Sequence, residues 1–275
     1  MVEKGVDAKM KTLSVALVFW IGATLALAGQ TNGVKSAKAP AGMALIPAGV
    51  YRSPFRGLDD LKEVAVKTFY LDAFPVTNAE FLEFVRAHPH LRRSQVKEPF
   101  ADKSYLKHWE GDLELGAAAP ANAPVTHVSW FAAKAFAAWQ GKRLPTVAEW
   151  EYAAQASPVR LDGENDPEFK QQILNWYSTP TPPQLSAVGL GRANFWGVHD
   201  LHGLVWEWVA DFSTPTGNGE SRGDTNVNRD RFCGAGSQGA RDRSDYPAFM
   251  RFGFRSSLKA GYTVHNLGFR CAKDF

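Results

Sequence analysis

The stretch that decides the fold is Lys142–Tyr152, which reads KRLPTVAEWEY. Thr146 and Glu149 stand three residues apart, which is the spacing of a capping box, where each side chain bonds a free backbone N–H group at the start of a helix. The apolar residues Trp150 and Tyr152 follow at once. The stretch therefore predicts a helix that begins after Thr146, although a capping box locates a helix and carries no information about chemistry.

Two further helix starts lie upstream of this stretch. Thr77–Glu80 reads TNAE and is a second capping box, with Val76 and Phe81 placed to pack across it as a hydrophobic staple. Ser129 can cap another helix, which carries the apolar sequence WFAAKAFAAW. Three helices are therefore expected before residue 156.

Short strands are expected ahead of the first helix. Met43–Tyr51 begins the fold as a strand closed by Pro47 and Gly49, and Lys62–Leu71 alternates well enough for a second strand. Beyond Ala156, Pro and Gly recur and helical periodicity disappears. The sequence predicts an α+β domain with few helices, short strands and much irregular coil.

Composition and charge exclude two classes of partner. The chain has 275 residues, of which 45% are hydrophobic and 21% charged, as in ordinary globular proteins. The formal net charge is +3, and removal of residues 1–28 takes away three Lys and two acidic residues, which leaves +2. A nearly neutral chain favours neither nucleic acid nor an anionic membrane surface as a partner.

The N-terminal segment has the pattern of a signal peptide. Three Lys within residues 1–11 precede an apolar run at 13–25, and Ala-Leu-Ala then supplies the small-x-small cleavage pattern. A membrane anchor is the alternative, but the run is shorter than the ~20 residues that a spanning helix needs. We expect cleavage after Ala28, a flexible leader at 29–42, and a periplasmic or secreted protein without a stable membrane span.

Five motifs follow one another along the chain. They read FYLDAFPVTN (69–78), PVTHVSW (124–130), KRLPTVAEWEY (142–152), GVHDLHGLVWEW (197–208) and NLGFRC (266–271). Together they resemble the formylglycine-generating-enzyme, or sulfatase-modifying-factor, family, and the third motif is the most specific. The resemblance implies that family's variant of the C-type lectin-like fold over one domain, residues 43–275.

The resemblance also implies what chemistry is missing. The family's oxidases carry two cysteines after a Gly-rich turn, and their thiolates bind copper(I), a soft ion that prefers sulfur, to convert a substrate cysteine to formylglycine with oxygen. The matching turn here is Gly234–Ser237, so the cysteines should fall near Ala240 and Met250. Gln238–Arg255 contains no cysteine, and Cys233 lies before the turn. We expect no formylglycine-generating activity.

Remnants of the family's oxygen pocket are mixed. Trp206 and Ser237 match positions that line it, whereas Leu204 stands where the family usually has Asn, which makes the pocket more apolar. The family's iron-dependent sulfoxide synthases use a separate helical domain with a His triad, for which this chain has no room. The resemblance therefore leaves copper or iron open as cofactors.

A calcium site is implied by the fourth motif. Matched residue by residue, its donors are Asp200, the carbonyls of Gly203 and Val205, and Glu207, an all-oxygen set that suits Ca²⁺. The alternative is that Glu207 forms a salt bridge with an arginine such as Arg255 and that Asp200 caps a turn.

The two cysteines, Cys233 and Cys271, are the only ones in the chain. An even number in an exported protein favours a disulfide, and two separate buried thiols are the alternative. Family members often carry a bonded cysteine in the closing Gly-Phe-Arg-Cys segment. Its usual partner position is Ala153 or Ala154 here, so the resemblance implies pairing of Cys271 with Cys233.

Two classes of function are compatible with this sequence. Whole segments resemble exported bacterial members without the cysteine pair, some of which are accessory proteins of copper nitrite reductases. The first hypothesis is therefore a periplasmic accessory or maturation factor that binds a respiratory metalloenzyme. The second is a cysteine-independent oxidase, like relatives that oxidise a siderophore chromophore. Convergent polar groups in a deep pocket near Ser237 would favour the oxidase, and an exposed aromatic surface would favour the binding module.

Overall fold

The computed structural model describes Met1 and residues 39–52, 63–213 and 246–275. The described residues from 39 onward belong to one compact unit. Beyond Met1, the predicted signal peptide lies outside the described residues, as does the leader up to residue 38. No helix in the described part of the chain combines the length and the apolar character needed to cross a bilayer.

Short strands and helices alternate along the chain. The strands are β1 (Met43–Ile46), β2 (Gly49–Arg52), β3 (Glu63–Val66), β4 (Phe69–Asp72), β5 (Trp206–Trp208), β6 (Leu267–Phe269) and β7 (Ala272–Asp274). The α-helices of the described residues are α1 (Asn78–Ala87), α2 (Trp130–Trp139), α3 (Val147–Ala154), α4 (Pro167–Ser178) and α5 (Tyr246–Ser257), with 3₁₀ turns at Pro89–Leu91 and Gly163–Asn165. The predicted α+β class with few helices and short strands is confirmed.

Three small sheets hold these elements. β4 is the central strand of an antiparallel sheet with β1 on one edge and β7 on the other. β2 and β3 form an antiparallel pair, and β5 and β6 form a parallel pair. An antiparallel bridge between Arg143 and Ala272 ties the start of the KRLPTVAEWEY stretch to β7.

All three predicted helix starts are confirmed. Thr77 and Thr146 both form complete capping boxes, with Glu80 and Glu149 as the third residues. Ser129 caps α2 by accepting a hydrogen bond from the Ala132 N–H. The first strand begins at Met43 as expected. The single strand predicted over 62–71 is instead two strands, β3 and β4, which pair with different partners.

The expectation that helical structure ends after Ala156 is wrong, because two helices follow. In α4 only Ile173 is buried, so apolar periodicity is weak, although Asp166 caps the helix and Pro167 occupies its first turn. In α5 the buried face includes two arginines, Arg251 and Arg255. Charged residues on the buried face of a helix blur the apolar pattern by which it could be recognised.

The motif segments meet in an aromatic core. Trp208 is fully buried and donates its indole N–H to the Val128 carbonyl at 2.9 Å. Trp130 donates in turn to the Val209 carbonyl at 3.0 Å. Each segment thus accepts a hydrogen bond from an indole of the other, and β5 is held against the start of α2 at a fixed position.

Candidate functional site

The candidate site is built around β5, the Trp-Glu-Trp strand. Side chains alternate between the two faces of a strand, so Trp206 and Trp208 point one way and Glu207 the other. Trp208 enters the core, whereas Trp206 is half-buried. Glu207 is buried and lies between α3 and the closing segment. The strand therefore presents one aromatic side chain and one carboxylate to different surroundings.

Glu207 forms a buried ion pair with Arg270. The guanidinium reaches both carboxylate oxygens, with Nε to Oε2 at 2.8 Å and Nη2 to Oε1 at 2.8 Å, and both side chains are 0% exposed. Trp150 donates its indole N–H to Oε2 at 2.6 Å. Arg270 also donates to the Asp72 and His199 carbonyls. The carboxylate is therefore fully engaged by protein donors.

This arrangement does not fit the predicted calcium site. The positive charge beside Glu207 is the Arg270 guanidinium, as in the alternative interpretation, although the arginine is not the expected Arg255. Asp200 accepts the Gly189 N–H at 2.6 Å in a backbone conformation with φ of +59°. The described residues contain no group of three His, Cys, Asp or Glu placed to hold a metal ion. The calcium site therefore stays a prediction, against which the pairing of Glu207 with Arg270 counts.

A second buried charge network lies beside the first. Glu151 of α3 accepts hydrogen bonds from Arg251, with Nη2 to Oε2 at 2.9 Å, and from Arg255, and its side chain is 2% exposed. Arg251 also donates to the Tyr177 hydroxyl at 3.2 Å. The Arg255 guanidinium lies 4.8 Å from the centre of the Trp150 ring. Trp150 therefore connects the two networks.

The two arginines keep Glu151 ionised. Burial on its own raises the pKa of a carboxyl group, but Arg251 and Arg255 outweigh it and lower the pKa of Glu151 to about 2. In this network the single carboxylate of Glu151 faces the guanidinium groups of Arg251 and Arg255. The network therefore anchors α5 to α3 through buried ion pairs.

Trp206 lies in a half-buried aromatic group above this network. Its ring stacks on Phe254 at 4.6 Å between centres and on Tyr177 at 5.3 Å, and Trp176 lies at 5.2 Å. All four side chains are half-buried. We call these four residues the Trp206 aromatic group, and it is partly exposed to solvent.

Several predicted site residues can now be placed. Ser237 and Cys233 lie outside the described residues. Met250, near which the second oxidase cysteine was expected, is on α5. Cys271 is a fully buried thiol, and because its predicted partner lies outside the described residues, the disulfide with Cys233 stays a prediction. Burial and the neighbouring Asp72 raise the pKa of the Cys271 thiol well above its ordinary value.

The two histidines of the fourth motif have structural roles. His199 Nδ1 lies 2.8 Å from the Gly191 carbonyl, and His202 Nε2 lies 3.0 Å from the Ala154 carbonyl. Sequence reasoning missed the Glu151 network altogether. A usable indication was the Arg251 and Arg255 pair, four residues apart and therefore on one helix face.

Comparison with known proteins places these features in a family. The model of the sulfatase-modifying factor enzyme 1-like domain matches residues 30–275. The inactive C-alpha-formylglycine-generating enzyme 2 of Mus musculus is 33% identical over 257 residues, covering 78% of this chain and 77% of its own length. The formylglycine-generating enzyme of Streptomyces coelicolor is 30% identical over 275 residues, covering 80% and 83%. Among solved structures, PvdO from Pseudomonas aeruginosa matches with a TM-score of 0.48 and 21% identity, covering 85% of this chain and 94% of its own.

The Glu151 network predicts a specific pH dependence of stability. The pKa of Glu151 in the folded protein is lowered to about 2. Ionised Glu151 therefore stabilises the fold at any pH above its unfolded pKa, and this stabilisation is lost as the pH falls toward 2. The contribution to the free energy of unfolding is roughly 3 kcal/mol. Glu151→Gln should therefore be about 3–5 kcal/mol less stable at pH 7, since it leaves buried arginines unpaired. Urea unfolding at several pH values measures the difference, which should shrink below pH 4.5.

The control for this experiment is Glu83→Gln. Glu83 forms a surface ion pair with Arg86, and their side chains are 62% and 49% exposed. Such pairs contribute at most about 1 kcal/mol. A Glu151→Gln variant as stable as this control at pH 7 would contradict the role assigned to the network.

Removal of calcium should leave the protein unchanged. Because Arg270 already neutralises Glu207, a chelator should not shift the melting temperature. Glu207→Gln should lower the free energy of unfolding by about 3–5 kcal/mol, with or without chelator. Differential scanning calorimetry in calcium and in chelator measures both effects. If chelation lowers the melting temperature of the unmodified protein but not that of Glu207→Gln, the calcium site would be supported instead.

Proposed function

We propose that this chain, which belongs to the sulfatase-modifying factor enzyme 1-like family, forms no formylglycine and acts as a binding module. Its role is that of a periplasmic accessory or maturation factor for a respiratory metalloenzyme, with a copper nitrite reductase as the candidate partner. The location follows from the signal-peptide pattern of residues 1–28, and the partner follows from the resemblance of whole segments to exported members without the cysteine pair.

The observation that carries the proposal is the change at the oxidase cysteine positions. Residues 238–255 contain no cysteine. The described part of that stretch is α5, which is bound to α3 through Arg251, Arg255 and Glu151. A pair of thiolates is what would hold copper(I) in the family's oxidases. Without it, the known route to formylglycine has no metal ligands here.

The Trp206 aromatic group supports a binding role. Aromatic side chains are enriched at the centres of protein interfaces, where they contribute most of the binding energy. The group is backed by the charge network of α3 and α5, which fixes its geometry before a partner arrives. A preorganised surface of this kind reduces the entropy lost on association. The name of the mouse relative calls it an inactive formylglycine-generating enzyme, which agrees with a role other than making formylglycine.

The first test concerns catalysis. The purified protein, supplied with copper, oxygen and a sulfatase-type cysteine peptide, should leave the peptide unchanged because it has no thiol pair to hold the metal. Mass spectrometry of the peptide measures the outcome, with the Streptomyces coelicolor formylglycine-generating enzyme as the positive control. Conversion of the cysteine with loss of its sulfur would contradict the proposal.

The second test concerns the partner. Trp206→Ala should weaken binding to copper-free nitrite reductase by roughly 30-fold, the effect of removing an interface hot spot worth about 2 kcal/mol. Trp139→Ala is the matched control, since Trp139 is 41% exposed and packs on Phe84 and Phe136, outside the Trp206 aromatic group. Isothermal titration calorimetry measures both affinities, and melting curves verify that both variants fold.

Two outcomes would count against the partner assignment. Equal affinities of the two variants would show that the Trp206 aromatic group is not the contact surface. Absence of binding by the unmodified protein, together with oxygen consumption on a siderophore chromophore, would favour the cysteine-independent oxidase instead.

A further inference from the structure

A second aromatic surface lies at the start of α2 and shares no residue with the Trp206 aromatic group. The Phe131 ring meets Phe100 at 5.4 Å and Trp130 at 5.5 Å between ring centres, edge-on in both cases. Phe100 is 50% exposed, Tyr262 is 38% exposed, and Trp130 and Phe131 are half-buried. We call these four residues the Phe131 surface. A single exposed ring is ordinary on a protein, but adjoining exposed rings are typical of a place where another molecule binds.

Hydrogen bonds hold the three segments of the Phe131 surface together. The Asp102 N–H donates to the Gly261 carbonyl at 2.8 Å, and the Asp102 carboxylate accepts the Thr263 N–H at 3.0 Å. These bonds join the long connection between α1 and α2 to the loop before β6. The Trp130 N–H donates to the Ala260 carbonyl at 3.0 Å, which brings α2 to the same loop. The surface is therefore fixed before a ligand arrives, and less entropy is lost on binding.

Two lysines are held over rings of the Phe131 surface. The Lys134 Nζ lies 4.7 Å from the centre of the Trp130 ring, and the Lys259 Nζ lies 5.9 Å from that of Tyr262. The face of an aromatic ring attracts an ammonium group, so both lysines stay beside the surface. Both are exposed, and neither forms an ion pair with another residue that the structure describes. Each therefore offers a positive charge to a ligand.

The loop that carries Phe100 adds to this positive charge. Lys97 and Lys103 stand on either side of Phe100 in the sequence, and both are exposed. Neither is paired with a carboxylate in the described ranges. The same stretch holds two acidic residues, Glu98 and Asp102. With the two lysines over the rings, the surface has four lysines against two acids, a local excess that the nearly neutral chain does not show as a whole.

We propose that the Phe131 surface binds an acidic peptide segment that carries aromatic or large aliphatic side chains. The carboxylates of such a segment are complementary to the four lysines, and its apolar side chains pack against the exposed rings. Aromatic residues at the centre and charged residues at the rim are the usual anatomy of a protein interface. None of the four cations is an arginine, the residue whose planar fork suits phosphate groups, so a peptide fits better than a nucleic acid or a phospholipid surface. This site does not depend on the proposed partner or on the Trp206 aromatic group.

An exposed phenylalanine elsewhere lacks this setting. Phe195 is 53% exposed, almost the same fraction as Phe100, and its ring contacts Trp196 at 5.9 Å between centres. Within the described part of the chain, no lysine or arginine lies over either of these two rings. We therefore do not include Phe195 in the proposal, and it serves as the matched control.

The test is binding of a fluorescently labelled synthetic peptide in which single phenylalanines alternate with pairs of glutamates, measured by fluorescence anisotropy at low salt. The unmodified protein should bind this peptide. Phe100→Ala should weaken binding roughly 5- to 30-fold, as the loss of an interface anchor does. Phe195→Ala should bind as the unmodified protein does, and melting curves verify that both variants fold.

The lysines are tested by the dependence of binding on salt. Lys134→Gln should weaken binding of the same peptide about 2- to 5-fold at low salt, because it removes one exposed charge pair. This difference should disappear at about 1 M salt, where exposed charges are screened. Lys170→Gln is the control, since Lys170 is an exposed lysine on α4 and lies outside the Phe131 surface.

Several results would overturn the proposal. One is failure of the unmodified protein to bind the acidic peptide, and another is equal binding of a peptide in which lysines replace the glutamates. Equal affinities of Phe100→Ala and Phe195→Ala would show that the Phe131 surface is not the contact. Tighter binding to single-stranded oligothymidylate or to phosphatidylserine vesicles than to the peptide would assign the surface to a nucleic acid or to a membrane instead.

Discussion

The ion pair between Glu207 and Arg270 is the interaction on which the rest of the structure depends. It joins β5 to the segment between β6 and β7, and its remaining donors reach the Asp72 and His199 carbonyls. Two charges that are fully removed from water are tolerated only when every hydrogen-bonding position is used. Trp150 supplies the last donor to the carboxylate. The pair therefore specifies how α3, β5 and the closing segment are arranged relative to one another.

Much of the fold follows from local patterns in the sequence. Capping boxes at Thr77 and Thr146 and the Ser129 cap locate three helices, because a free N–H group needs a nearby acceptor and the pattern is visible within four residues. The strand at Met43 is also found. Helix α5 is missed because two of its buried residues are arginines, and their carboxylate partner, Glu151, lies about a hundred positions away in the chain. Long-range charge pairs leave no periodic trace in a single sequence.

The site shows the same division between local and distant information. The absence of cysteines from 238–255 is visible at once, and the family match over residues 30–275 agrees with the motifs. The partner of the Glu207 carboxylate cannot be predicted from the sequence, because a carboxylate in that motif suits a calcium ion and an arginine equally well. In the structure Glu207 is paired with Arg270, and the calcium site stays a prediction.

The central position of β4 has a consequence for how the protein is made. Its edges are closed by β1, which precedes it closely, and by β7, and the Asp72 carboxylate accepts the backbone N–H of a residue 199 positions further on. During synthesis, β4 therefore keeps an open edge until almost two hundred further residues have been added. Contacts of such high sequence separation form late and slowly. For most of its time on the ribosome the chain therefore exposes an unpaired strand edge, the kind of surface that promotes aggregation until its partner strand is made.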